Sequence, residues 1–218
     1  MVTISLTPRS AVVFDMDGVI VDSREAHFKA WQDIAAELGA PIDRAFFLKT
    51  FGMRNVEIFE LLKPELKDDI RIRYLDGYKE KLYRGYFSQY ARPLPGLTDA
   101  LVLLKKRGVP CGIGTSAPRA NVDAVLDRFG IHDYFLQIVT SEDVLRGKPA
   151  PEVFVRCMAL LQSDPADTVI FEDSPGGIKA AVASRARTVA IGGTHSEAVL
   201  RALGADDYAE DFREVVFR

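Results

Sequence analysis

The chain has 218 residues, 48% of them hydrophobic and 27% charged, with a formal net charge of −3. That length carries one substantial domain plus a smaller appended one. Basic residues matched by acids, with no long cationic run, argue against a nucleic-acid partner.

No apolar stretch approaches the ~20 residues needed to cross a bilayer, and the opening Met1-Val2-Thr3-Ile4-Ser5-Leu6-Thr7-Pro8-Arg9 is too short and polar for a secretory signal. Cys111 and Cys157 lack metal-ligand spacing and read as reduced structural thiols. The expectation is a cytoplasmic protein, monomeric by default, without a membrane partner.

From Ala11 to Phe14 runs a short apolar stretch that stops abruptly at Asp15. Similar runs recur at Val109–Gly114, Ile138–Thr140, Val169–Phe171 and Thr188–Ile191. Continuous apolar runs bounded by turn residues predict strands buried on both faces. Between them lie helical periodicities. One holds Leu97, Leu101 and Leu104 and stops at Gly108; another holds Val122, Val125, Leu126 and Phe129 and stops at Gly130; a third, Ile178 to Val182, follows Ser174-Pro175. This alternation predicts a Rossmann-like, doubly wound parallel sheet with crossover helices.

Residues 23–92 break the rhythm with three helical stretches and no strand signal. The first carries Trp31, Ile34, Ala35 and Leu38 before Gly39. The second runs from about Asn55 to Leu62, and the third includes Ile70, Tyr74, Tyr78 and Leu82. Pro93-Leu94-Pro95-Gly96 then returns the chain to the alternating pattern. The expected organisation is an α/β core over 1–22 and 93–218 with an all-helical cap inserted at 23–92.

Open parallel sheets bind ligands outside the carboxyl ends of their strands. Asp15 and Asp17 fall there, before Gly18. Two such carboxylates can divide labour, one attacking an electrophile and holding a cation, the other exchanging a proton. The same residues also suit a plain Asx-capped turn. Three further strand ends bear on the choice. Thr115 and Ser116 offer hydroxyls and amides to a phosphate, or simply cap a helix. Lys148 is stiffened by its setting in Gly147-Lys148-Pro149-Ala150-Pro151, or is a solvated loop lysine. Glu172-Asp173 puts two acids at the end of a buried run, which is expensive unless they meet a cation or donors. Taken together, Asp15 and Asp173 are candidate ligands for Mg²⁺, Lys148 offsets negative charge, and Thr115 binds phosphate oxygens. This is the set that phosphoryl transfer needs.

In Asp15-Met16-Asp17-Gly18-Val19, Thr115, Lys148 and Glu172-Asp173 the sequence resembles the haloacid dehalogenase superfamily, over nearly its whole length. The helical insert resembles the cap of that superfamily's phosphoglycolate phosphatase and β-phosphoglucomutase branch. The resemblance implies an aspartyl-phosphate on Asp15. It implies Asp17 as general acid/base, lending its backbone carbonyl to Mg²⁺, with Asp173 as direct metal ligand and Glu172 in or behind the metal's shell. It argues against dehalogenation, which uses neither the second aspartate nor a metal.

The segment Asp22-Ser23-Arg24-Glu25-Ala26-His27-Phe28-Lys29-Ala30-Trp31 is similar to the cap entry of β-phosphoglucomutase, which implies a gating role for His27; simple packing of His27 is the alternative. Other features point away from the mutase. Its Gly-x-x-Arg becomes Gly52-Met53-Arg54-Asn55, an ungapped reading puts Tyr74, beside Arg73, at its later cap lysine, and Ala117-Pro118-Arg119 follows the second motif as in phosphosugar phosphatases. Ser116, Ala117, Arg119, His27 and Arg54 are therefore the candidate substrate-binding residues. The expected function is a Mg²⁺-dependent phosphatase acting on a small phosphorylated metabolite, a sugar phosphate above all. β-Phosphoglucomutase is the alternative, and a non-enzymatic binding module is the reading from another class.

Overall fold

The computed structural model describes residues 1–66 and 69–218, which form two compact units, Met1–Asp22 with Pro93–Arg218, and Ser23–Arg92. In chain order the first unit opens with strands β1 (Val2–Ile4), β2 (Ala11–Phe14) and β3 (Val21–Asp22). The second unit holds helices α1 (Arg24–Glu37), α2 (Arg44–Thr50), α3 (Asn55–Leu62) and α4 (Asp69–Tyr90). After β4 (Arg92–Pro93) come α5 (Leu97–Lys106), β5 (Cys111–Gly114), α6 (Arg119–Phe129), β6 (Gln137–Val139) and α7 (Glu152–Leu161). The chain ends with β7 (Thr168–Glu172), α8 (Pro175–Ala183), β8 (Arg187–Ile191), α9 (Glu197–Ala202), β9 (Asp207–Ala209) and β10 (Val215–Phe217).

Six strands make the main sheet in the order β6-β5-β2-β7-β8-β9, every neighbouring pair parallel. The chain builds outward from β2 on one side through β5 and β6, then crosses back to lay β7, β8 and β9 on the other. The reversal falls beside β2, where an open sheet leaves a crevice for a ligand. All residues of β2, β5 and β7 are buried, which explains why they read as unbroken apolar runs. Phe14 and Phe171 stack at 5.3 Å across β2 and β7, and Phe212 packs against both. Thus the α/β doubly wound core expected from the alternation is the one observed. The short β1 and β10 pair with each other in parallel, tying together the two chain ends.

The helical unit differs from its sequence reading in two respects. Among the described residues it has four helices, not three, because the seven-residue α2, capped by Asp43 accepting from the Phe46 amide, is too short to show a period. In α4, the apolar ladder Ile70, Tyr74, Tyr78, Leu82 is not the buried one: Ile70 is 81% and Tyr74 69% exposed. Ile72, Leu75, Lys79, Glu80, Tyr83 and Phe87 are the buried positions among the described residues, and two charged residues in the middle of that stripe hide its period. Trp31, Ile34, Leu38, Phe47 and Phe59 share the core of this unit with Ile72 and Leu75. Among the described residues no helix is long and apolar enough to cross a membrane.

Candidate active site

Asp15 follows β2 directly, and its amide donates to Phe171 O at 2.9 Å, extending the β2–β7 ladder by one bond. The chain then turns. Gly18 N–H donates to Val21 O at 2.7 Å with Gly18 at φ +88°, a conformation that favours glycine. Close approach gives a second reason for glycine here. A β-carbon on residue 18 would fall 2.0 Å from Asp173 Oδ2.

Asp173 follows the last residue of β7, Glu172, and both are buried. Glu172 turns back over the start of α8. Its Oε2 accepts from the Ser174 amide at 2.6 Å, and a β-carbon on Gly177 would lie 1.7 Å from Oε1. A carboxylate at a helix N-terminus gains from the free amides there. Ser174 caps α8 by accepting from the Gly177 amide at 3.1 Å.

Lys148 reaches this group from the loop before α7. Its Nζ donates to Asp15 Oδ1 at 2.5 Å and to Glu172 Oε1 at 2.8 Å, with the ammonium 4.6 Å from the centre of the Phe154 ring. Asp15, Glu172 and Asp173 bring one carboxylate oxygen each within 4.8 Å of one another. Two of these three buried carboxylates, Asp15 and Glu172, share the Lys148 ammonium. Burial raises the Asp15 carboxyl to about 7, with Lys148 pulling against it and Glu172 and Asp17 adding to it. Asp173 is raised for similar reasons, by burial and then by Glu172 and Asp15. For Lys148, burial works against the charge, but Asp15 and Glu172 more than offset it and hold the ammonium protonated. Such a cluster fits a hard divalent cation, which oxygen ligands favour and which would relieve the repulsion.

Thr115 follows β5 and is buried; its Oγ1 accepts from the Ala117 amide at 3.1 Å. That amide is therefore already engaged, while the Thr115 hydroxyl keeps its proton to donate. Ser116 lies half-buried beside it. Arg119, at the start of α6, is half-exposed and pairs with Asp123 at 2.8 Å along the helix. Asp17 is half-buried, and its side chain lies outside the three-carboxylate group.

In the helical unit, His27 is buried and stacks on Tyr83 at 3.9 Å. Its Nδ1 lies 2.8 Å from Lys79 Nζ, and Lys79 also donates to Glu80 at 2.8 Å. Asn55 Nδ2 donates to Glu80 and to Asp76, each at 2.6 Å. Arg54 is half-exposed and bound to Glu57 at 2.7 Å. Sequence reasoning missed Lys79 and Glu80, because reading α4 by its apolar positions leaves charged residues out of the buried stripe, and it named Asn55 only as the start of a helix. It also missed Thr194, whose hydroxyl donates to Asp173 Oδ2 at 2.8 Å. The end of the Thr188–Ile191 run was the available signal, since strand ends had already supplied the other candidates.

The sequence profile of the haloacid dehalogenase-like hydrolases matches residues 12–191. A phosphorylated carbohydrates phosphatase of Thermotoga maritima is 30% identical over 176 residues, covering 78% of this chain and 79% of that protein. A β-phosphoglucomutase of Bacillus subtilis is 31% identical over 191 residues, covering 84% and 83%. The crystal structure of a β-phosphoglucomutase from Clostridium difficile superposes with a TM-score of 0.84 at 24% identity, covering 94% of this chain and 92% of that one, a likeness of fold.

Proposed function

The chain belongs to the haloacid dehalogenase-like hydrolase family, and within it we propose a Mg²⁺-dependent phosphatase that hydrolyses a small phosphate monoester, a sugar phosphate above all. The observation that carries this reading is the buried group of Asp15, Glu172 and Asp173 around Lys148, at the carboxyl ends of β2 and β7. The phosphatase named for phosphorylated carbohydrates, at 30% identity, supports the substrate class.

On this reading Asp15 is the nucleophile. One of its carboxylate oxygens attacks phosphorus, the bond from phosphorus to the ester oxygen breaks, and Asp17 donates a proton to the departing alkoxide. Asp17, now ionised, takes a proton from water as that water attacks the aspartyl-phosphate, returning Asp15 and releasing inorganic phosphate. Lys148 favours the ionised form of Asp15 against the pull of burial and counters the charge of the transferring group. The Thr115 hydroxyl, with Ser116, donates to phosphate oxygens. Asp15, Asp173 and Glu172, with the Asp17 backbone carbonyl, are the groups that would hold Mg²⁺, which supplies further charge neutralisation when bound.

The cap residues favour hydrolysis over isomerisation. A mutase must hold a bisphosphate and so needs a second anion site. Here Arg54 is bound to Glu57, Lys79 to Glu80, and the Asn55 amide to two carboxylates. β-Phosphoglucomutase remains the second reading, on the 31% identity to the Bacillus subtilis enzyme and on the buried cation Lys79 beside His27.

The test is to incubate the protein with Mg²⁺ and a panel of phosphate monoesters, following free phosphate. In parallel, β-glucose 1-phosphate with its bisphosphate is followed for glucose 6-phosphate. Phosphate release from sugar phosphates is expected; fast isomer formation with little phosphate would reject hydrolysis. Asp15→Asn should abolish either activity.

A further inference from the structure

The donors around the three carboxylates are unevenly shared. Lys148 serves Asp15 and Glu172, and the Ser174 amide serves Glu172 again. Asp173 receives neither. Among the described residues its hydrogen bond comes from Thr194, in the loop that leaves β8 at Gly192-Gly193. β8 lies beside β7 in parallel, with Ala190 opposite Glu172, so this loop emerges next to the site at the same end of the sheet. The Asp173 carboxylate also packs against the backbone at Gly18, where a β-carbon would fall 2.0 Å from Oδ2.

We propose that Thr194 is a positioning residue for the divalent cation: its hydroxyl fixes Asp173 Oδ2 so that the carboxylate meets the ion in one orientation. Packing against Gly18 limits where the carboxylate sits but leaves it a choice of which lone pairs face the ion. A hydroxyl donor on one oxygen removes that freedom before the ion arrives and leaves the other oxygen's lone pairs for coordination. It also supplies a hydrogen bond to the acid of the cluster that Lys148 does not reach, without adding a positive charge that would compete with the cation.

The inference rests on reading the carboxylate cluster as a cation site, and the experiment separates the two. Mg²⁺ is titrated calorimetrically into the wild-type chain, Thr194→Val and Thr194→Ser, and KM for p-nitrophenyl phosphate is measured at saturating Mg²⁺. Thr194→Val should weaken the Mg²⁺ Kd roughly 10–100-fold while KM for the ester stays within about twofold. Thr194→Ser, which keeps the hydroxyl, should restore the affinity to within about threefold. Equal Mg²⁺ affinity in wild type and Thr194→Val overturns the positioning role, as does a Thr194→Ser chain no better than Thr194→Val. A wild-type chain that gives no Mg²⁺ signal by calorimetry or thermal shift overturns the cation site itself, and the positioning role with it. Should Thr194→Val fail to fold by circular dichroism, Thr194→Ala against Thr194→Ser gives the same comparison.

Discussion

Gly18 and Asp173 meet so closely that the α-carbon of one forms the floor under the carboxylate of the other. A β-carbon at residue 18 would lie 2.0 Å from Oδ2, 2.4 Å from Cγ and 2.9 Å from Oδ1 of Asp173. The turn after Asp15 and the acid after β7 are therefore a single packed unit, and the identity of residue 18 follows from the position of Asp173 as much as from its own φ of +88°. Gly18→Ala must displace Asp173 and also hold alanine in a left-handed conformation that costs roughly 1–2 kcal/mol. The expected outcome is loss of stability by that amount or more in urea titration, and a fall of at least about 100-fold in kcat/KM, since a displacement near 1 Å at a reacting centre carries such a penalty. A Gly18→Ala enzyme of normal activity would mean that Asp173 is not needed where it stands.

Lys148 is the ammonium between Asp15 and Glu172, with both bonds buried. Lys148→Met keeps the length of the side chain and removes the charge. Removing one partner of a buried ion pair costs about 3–5 kcal/mol when the remaining charge has no other relief. Here Asp15 has relief, because its carboxyl, raised by burial, takes a proton easily. The metal-free Lys148→Met chain should therefore lose most stability at pH 8 and much less at pH 6, as read from urea midpoints at the two values. Turnover should be lost at both. An equal loss of stability at the two pH values would show that Asp15 does not depend on Lys148 for its ionised form.

What the sequence made legible were the residues that interrupt an apolar run with a charge. Asp15, Lys148, Glu172 and Asp173 stand out because a buried strand or a Pro-bounded loop gives no ordinary reason for them, and the structure places them in one cluster. Thr194 was not legible in the same way: its run ends on two glycines, and a threonine three residues past a strand carries no signal of its own. Lys79 was hidden for the opposite reason. Reading a helix by its apolar face excludes a lysine from the buried stripe, yet its ammonium lies between His27 and Glu80 and near the Trp31 and Tyr83 rings, where its charge is answered. Ladders four residues apart exist on both faces of α4, and only packing against α1 selects one.

Cation addition should stabilise the chain, and more so at high pH. The Asp15 carboxyl is raised from 3.8 to about 7, so its neutral form is the one the metal-free fold prefers. The favourable contribution of that proton is complete below the unfolded value and is lost as pH rises toward about 7, beyond which the ionised group is a constant penalty. Mg²⁺ at about 100 times its Kd adds about 2.7 kcal/mol to any fold that binds it and not to the unfolded chain. Below about pH 6 the proton competes for the same oxygens and the gain shrinks. Thermal melts with Mg²⁺ and with EDTA at pH 5.5, 6.5 and 8 should show a gap in Tm that widens at each step. A gap that narrows with pH would remove Asp15 from the ligand set.

Glu80 makes the opposite pH prediction for the helical unit. Burial alone would raise its carboxyl, but Lys79, His27 and the Asn55 amide more than offset this and bring it from 4.5 down to about 2. A depressed carboxyl contributes stability that is present above the unfolded value and is lost as pH falls through the folded one. The window is therefore roughly pH 4.5 down to 2, and the full contribution is about 3 kcal/mol at about 1.4 kcal/mol per unit. Glu80→Gln keeps an acceptor for Asn55 and Lys79 but removes the titration. At neutral pH the variant should be less stable than wild type by a few kcal/mol, because Lys79 is left buried without its counter-charge. As pH is lowered from 5 to 3 the two chains should converge, the wild type falling and the variant changing less. Urea melts followed by fluorescence of Trp31, which packs against Phe59 in the same helical unit, report on that unit directly. If the difference between wild type and Glu80→Gln is the same at pH 3 as at pH 7, Glu80 is not held ionised by Lys79, and the buried cation of α4 must be balanced by another group.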